Sequence, residues 1–78
     1  MSLKELPTHR RYRLRSIGTT ACYRVVEIVG INDDDTPMTI DWPHLYSSKK
    51  SAILEIERVA KVKFTEYQYK DIAYSMGW

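Results

Sequence analysis

Arg10, Arg11, Arg13 and Arg15 are the residues whose chemistry stands out first. On an extended segment, alternate spacing sends Arg11, Arg13 and Arg15 to one face. Guanidinium groups in such a row can meet successive phosphates or the edges of bases. Tyr23, on the neighbouring strand, is expected on the same face, where it can stack. Two other uses compete with this one: pairing with Glu27 and Asp41 within the chain, or contact with an acidic protein surface. Lys49 and Lys50 stand at the start of a predicted helix, where the macrodipole disfavours cations unless an anion is shared with the first N–H groups. These six residues form the candidate nucleic-acid or anion-binding set.

A second set points to protein contact. Tyr67, Lys70, Asp71 and Tyr74 share the outer face of a predicted C-terminal helix, and Trp78 follows at the chain end. Exposed tyrosines bring large contact area at low entropic cost and are enriched among interface hot spots. Asp33, Asp34 and Asp35 form an acidic turn with half the look of a calcium loop, lacking the glycine and the distal bidentate glutamate of a complete one. They join the partner-binding set as a patch for a basic groove.

The remaining chemistry-bearing residues predict little. His9 and His44 have no Cys or Asp at ligand spacing, so no metal site is expected. No Ser, His and Asp fall in a recognisable frame, and the three glycines form no phosphate loop. The chain therefore reads as a non-enzyme without a cofactor. Cys22 is a single cysteine in a strand-like run, expected as a small buried hydrophobe in a reducing, cytoplasmic compartment. Apolar runs are only a few residues long, which predicts neither a membrane span nor a secretory leader.

Charge is segregated although the net charge is only +2. Residues 1–24 carry Lys4, Arg10, Arg11, Arg13, Arg15 and Arg24 against Glu5, a net of +5. Residues 25–48 carry Glu27, Asp33, Asp34, Asp35 and Asp41 and no Lys or Arg, a net of −5. Residues 49–78 return +2. A chain that met nucleic acid with its whole surface would be more basic; one with two patches suits a partner bearing both signs.

The elements that must position these groups are legible from periodicity. The long amphipathic stretch is 47–63, where Ala52, Ile53, Ile56, Val59 and Ala60 fall within about a third of a helical wheel. Ser47 or Ser48 supplies its cap, and Glu57 and Lys61 pair four apart on the far side. Before it, residues 10–17 and 21–29 alternate as strands around a Gly18-Thr19-Thr20 turn. A three-residue loop would pair Ile17 with Ala21, Arg15 with Tyr23, Arg13 with Val25 and Arg11 with Glu27. The register one residue away is disfavoured, because it sets Arg15 against Arg24. In the preferred register Arg24 lies on the side of Tyr12 and Leu14. Residues 30–37 are a turn, and Met38, Thr39 and Ile40 a short third strand with Met38, Ile40 and Trp42 inward. Trp42 to Tyr46 is then the crossover to the helix.

Residues 1–9 read as a flexible arm. At the other end, Thr65 with Gln68 forms a capping box, and Phe64 with Tyr69 a hydrophobic staple. These signals favour a second helix over a fourth strand across 62–69, with Tyr69, Ile72, Ala73 and Met76 inward and Gly77 as its stop. The expected architecture is one α+β domain over 1–78: a three-stranded antiparallel β-meander packed by one long helix, with a short C-terminal helix, β-β-β-α-α. At 78 residues such a domain buries only about 60–65% of the surface of its unfolded chain. The order serves many unrelated functions. The expectation from the residues is a small docking protein, a phage-type inhibitor or regulator of a nucleic-acid-handling host or defence complex. The alternatives are a direct DNA- or RNA-binding module using the arginine strand, and a subunit of a homo-oligomer that covers the free sheet face.

Overall fold

Runs of β-branched and aromatic residues, broken at a glycine and at an acidic cluster, divide the first half of the chain into strands. A computed structural model describes residues 3–18 and 22–74. Strands β1 (Tyr12–Ile17), β2 (Cys22–Ile31) and β3 (Pro37–Tyr46) form an antiparallel sheet in the order β1-β2-β3. Helices α1 (Lys49–Ala60) and α2 (Glu66–Ala73) follow, giving the expected β-β-β-α-α arrangement. Two short 3₁₀ turns precede β1: Leu3–Glu5 lies within the segment expected as an arm, and Thr8–Arg11 runs from that segment into the residues expected as strand. Arg11 therefore ends a turn instead of opening a strand.

The register of the first hairpin is a correction. Ile17 pairs with Cys22, Ser16 with Tyr23, Arg15 with Arg24, and Leu14 with Val25. This is the like-charge alignment that was disfavoured. Side-chain placement changes with it, because a one-residue slip exchanges the two faces. Tyr12, Leu14, Tyr23 and Val25 now share the helix-facing side, while Arg13, Arg15, Arg24 and Val26 share the other. Tyr23 is thus parted from the arginines, and Arg24 joins them. Val25 and Val26 are 0% and 3% exposed, so both faces of central β2 are shielded.

The turn before β3 holds itself. The Asn32 N–H donates to the Thr36 carbonyl at 2.8 Å, and the Asp35 N–H to the Asn32 carbonyl at 3.0 Å. Asp35 takes φ 65°, a left-handed conformation that short polar side chains tolerate. β3 runs on through the expected crossover to Tyr46. Its partner residues jump from Asp41 opposite Val26 to Leu45 opposite Arg24, so Trp42, Pro43 and His44 bulge out against Val25 alone. Pro43 lacks an N–H, and an edge strand at a bulge is where a proline is accommodated.

α1 starts at Lys49 because Ser48, not Ser47, caps it, accepting from the Ser51 N–H at 3.0 Å. It stops at Ala60, short of the predicted Lys63, because Lys61 turns left-handed at φ 57°. In place of a Glu57–Lys61 pair, the Glu57 carboxylate accepts the Phe64 N–H at 2.7 Å. α2 begins with the predicted capping box of Thr65 and Gln68.

The core joins Tyr12 and Val25 of the sheet to Ala52, Ile53, Ile56, Ile72 and Ala73 of the helices, with Leu14, Trp42, Tyr46, Ala60, Phe64 and Tyr69 packed around them. Three expected core members lie outside it: Val59 is 50% exposed, Met38 45% and Ile40 48%. The helix layer reaches β3 at Trp42 and Tyr46 and not at its opening residues, which leaves Met38 and Ile40 uncovered. Met76 and Gly77 lie outside the described residues. On the far side of the sheet, Val26 and Ile28 are each 3% exposed, and the Leu3–Glu5 turn packs on β2. The second sheet face is thus partly closed by the chain itself. No helix of the described residues is long and apolar enough to cross a membrane.

Candidate functional site

The arginines sit where their charges are used internally. Arg11 donates from Nη2 to the Leu3 carbonyl at 3.2 Å, which ties the first turn to the second. Arg10 Nε lies 3.3 Å from the Asp71 carboxylate on α2. Arg13 is half-buried, and burial lowers its pKa, opposed by nearby Asp71 and assisted by Arg10. Arg15 reaches Asp41 on β3 at 3.3 Å. Arg24 donates to the Trp42 carbonyl at 2.6 Å and so holds the β3 bulge. Of the expected uses, pairing within the chain is seen for Arg15 with Asp41, while Arg10, Arg11 and Arg24 find acceptors the sequence did not suggest.

α2 presents the other candidate surface. Its buried side is Ile72 and Ala73, at 1% and 7% exposure, while Tyr67 is 71% exposed and Tyr74, at the C-cap, 67%. A side chain of basic type stands beside each ring. The Lys49 ammonium stands 4.4 Å from the centre of the Tyr74 ring and 5.9 Å from that of Tyr23, within cation–π range. This contact explains a lysine in the first turn of α1, where the dipole alone would reject it. The His9 ring meets Tyr67 edge-on at 6.5 Å. Lys70 is exposed and pairs with Glu66 at 3.2 Å. Asp71 is half-buried and bridges His9 and Arg10 at 3.3 Å each, so it fastens the Thr8–Arg11 turn to α2. Lys50 is exposed, and Trp78 lies outside the described residues.

Asp33, Asp34 and Asp35 are exposed at the tip of the β2–β3 hairpin. The Asp34 carboxylate accepts the Thr36 hydroxyl at 2.6 Å and its N–H at 3.2 Å, and these bonds hold its pKa below the ordinary value. Among the described residues, no three His, Cys, Asp or Glu side chains come together as a metal site would require.

One further site has no counterpart in the predicted sets. The β3 bulge opens a cleft of about 360 Å³ against the flank of α1. Glu27, Trp42, Pro43, His44 and Tyr46 line it from the sheet, and Glu55 and Val59 from the helix. Trp42 packs edge-on against Tyr12 at 6.1 Å and donates from Nε1 to Glu27 Oε1 at 2.9 Å. His44 and Tyr46 meet at 4.7 Å. Arg58 forks onto both oxygens of Glu55, which lowers the Glu55 pKa and raises that of Arg58. Desolvation, then the charge of Glu55, raises the Tyr46 pKa. The signal for this cleft was the Trp42-Pro43-His44 run: a proline amid aromatics in a strand marks a bulge.

Comparison with known proteins returned no matching family model, no matching curated protein and no matching solved structure.

Proposed function

We propose that this chain is a small non-enzymatic binding protein that docks on a macromolecular partner through the outer surface of α2. The observation that carries this reading is the exposure of Tyr67 and Tyr74, at 71% and 67%, on a short helix whose core contribution comes from Ile72 and Ala73. Two large aromatic rings held toward solvent, each beside a basic side chain, suit a protein surface with apolar pockets and acidic groups. The internal engagement of Arg10, Arg11, Arg15 and Arg24 leaves less for phosphates and weighs for a protein partner over a nucleic acid. The acidic hairpin tip of Asp33, Asp34 and Asp35 supplies a patch of the opposite sign, which suits a partner with a basic, nucleic-acid-handling groove. An inhibitor or regulator of such a partner, of the phage type, is the role this combination fits.

The test is capture of the partner by the tagged full chain and by its Tyr67→Ala and Tyr74→Ala variants. The expected outcome is a nucleic-acid-handling protein retained by the parent and lost by both variants, because truncating a hot spot costs about 2 kcal/mol, roughly thirty-fold in affinity. Thermal stability of the variants should stay within about 0.5 kcal/mol, as for exposed positions generally. Retention of the same partner by both variants would defeat the proposal. Dissociation of a self-assembly by the same changes would point to a homo-oligomer instead.

A further inference from the structure

The cleft beneath the β3 bulge has the composition of a site for a flat cation. Trp42 forms one wall, and its contact with Tyr12 backs it onto the core, so its ring does not have to be ordered on binding. Tyr46 lies along the same strand. The two acidic side chains of the lining, Glu27 and Glu55, differ in their engagement. Glu27 spends one oxygen on the Trp42 indole N–H, and among the described residues no Lys, Arg or His ion-pairs with it. Glu55 already holds a guanidinium, that of Arg58, whose side chain is 71% exposed. The rim of this cleft therefore already shows a carboxylate–guanidinium pair within the chain, and Glu27 has its second oxygen left to offer a ligand beside the Trp42 ring. The cleft is shallow and open to solvent, about 360 Å³ in volume, which leaves room for the flat end of one side chain laid along its wall.

We infer that this cleft receives an arginine side chain presented by a partner protein, with its guanidinium set between the Glu27 carboxylate and the rings of Trp42 and Tyr46. Arginine fits better than lysine because its guanidinium is planar, weakly hydrated and stacks on aromatic faces while it bonds carboxylates. None of the lining residues belongs to α2, so this site stands apart from the tyrosine surface and either can fail without the other.

The experiment is an NMR titration of the isotopically labelled full chain with N-acetyl-L-arginine amide, and in parallel with its neutral isostere N-acetyl-L-citrulline amide. The Trp42 indole N–H and the Val59 methyl resonances should move saturably with the arginine compound, and bind the citrulline compound about fivefold more weakly or less. Glu27→Gln keeps an acceptor for the Trp42 N–H and removes the charge, so it should bring the arginine compound down to the level of the citrulline one. Should Glu27→Gln fail to fold, Val59→Lys places a repelling cation at a half-exposed rim position and should abolish the response. Tyr67→Ala should titrate as the parent. The inference is overturned by equal responses to the two compounds, by no movement at Trp42 and Val59 up to roughly 50 mM, or by parental binding in either cleft variant.

Discussion

Arg15 and Arg24 stand directly opposite each other across the β1–β2 ladder, two cations on one face of the sheet. The pair is tolerated because the guanidinium groups diverge onto different acceptors of β3. Arg15 goes to the Asp41 carboxylate at 3.3 Å and Arg24 to the Trp42 carbonyl at 2.6 Å. The two bonds differ in weight. The Arg15–Asp41 pair is about half exposed on both sides and is screened by solvent. The Arg24 bond is partly buried and satisfies a backbone carbonyl at the bulge.

Arg24→Leu should therefore destabilise the chain by about 1–2 kcal/mol, because it strands a partly buried carbonyl. Arg15→Ala should change stability by no more than about 0.5 kcal/mol, and its lost ion pair is offset by relief of the like-charge contact. Urea midpoints of the two variants check this. A costly Arg15→Ala beside a silent Arg24→Leu would mean that the bulge is held by something other than Arg24.

The rotation of α1 gives a sharper contrast. Ile56 is 0% exposed at the centre of the core and Val59, three residues on, is 50% exposed beside the cleft. Ile56→Ala should cost about 2–5 kcal/mol, the range for removing most of a buried aliphatic side chain. Val59→Ala should stay within about 0.5 kcal/mol. Denaturant midpoints again decide, and equal losses in the two variants would mean that α1 is turned toward Val59.

Periodicity made the helices and the order of elements legible, because Ala52, Ile53 and Ile56 or Thr65 and Gln68 act through neighbours one turn away. The first hairpin was misread because its register is not set locally. A like-charge pair looked decisive from β1 and β2 alone, but the acceptors that relieve it, Asp41 and the Trp42 carbonyl, belong to β3. The Arg15–Asp41 pair was among the expected uses of the arginine row, but the clasp on Arg10 was hidden for the same reason. Asp71, which clasps Arg10 and His9, lies some sixty residues on in the chain. The tyrosines of α2 were found because exposure on a short amphipathic helix follows from its buried face. The cleft was not, since it exists only where the β3 bulge meets α1.

Asp34 at the hairpin tip offers a test by pH. Bonds from the Thr36 hydroxyl and N–H favour its charged form and depress its pKa. A carboxylate depressed in the folded state adds stability that is present above its unfolded pKa and is lost as pH falls through the folded value. Thr36→Val removes the hydroxyl and leaves the N–H, so the Asp34 pKa should rise toward the ordinary carboxylate value without fully reaching it. NMR titration of the Asp34 carboxyl carbon below neutrality checks the direction. An unchanged or lowered midpoint would show that the Thr36 hydroxyl does not hold the charge.

The placement of the tyrosine-bearing helix rests on Glu57. Its carboxylate lies on α1, yet it accepts the Phe64 N–H at 2.7 Å, just before the Thr65 cap of α2. Phe64 itself packs against the core. One side chain thus fixes the end of α1 to the beginning of α2, and a hydrogen bond to a charged acceptor contributes about 1.5–3 kcal/mol in such a setting. Glu57→Ala should loosen α2 before it loosens the sheet, since the ties left to α2, its packed Ile72 and Ala73 and the partly exposed Asp71 pairs with His9 and Arg10, are fewer than those that hold central β2. Hydrogen exchange should then quicken at the Ile72 and Ala73 amides while the Val25 and Val26 amides stay protected. Glu57→Gln keeps an oxygen acceptor and should lie between the parent and Glu57→Ala. Partner capture should weaken in the same order although neither variant touches Tyr67 or Tyr74, because a surface held less firmly has more to order on binding. Parental exchange at Ile72 in Glu57→Ala would remove this residue from the account of how α2 is held.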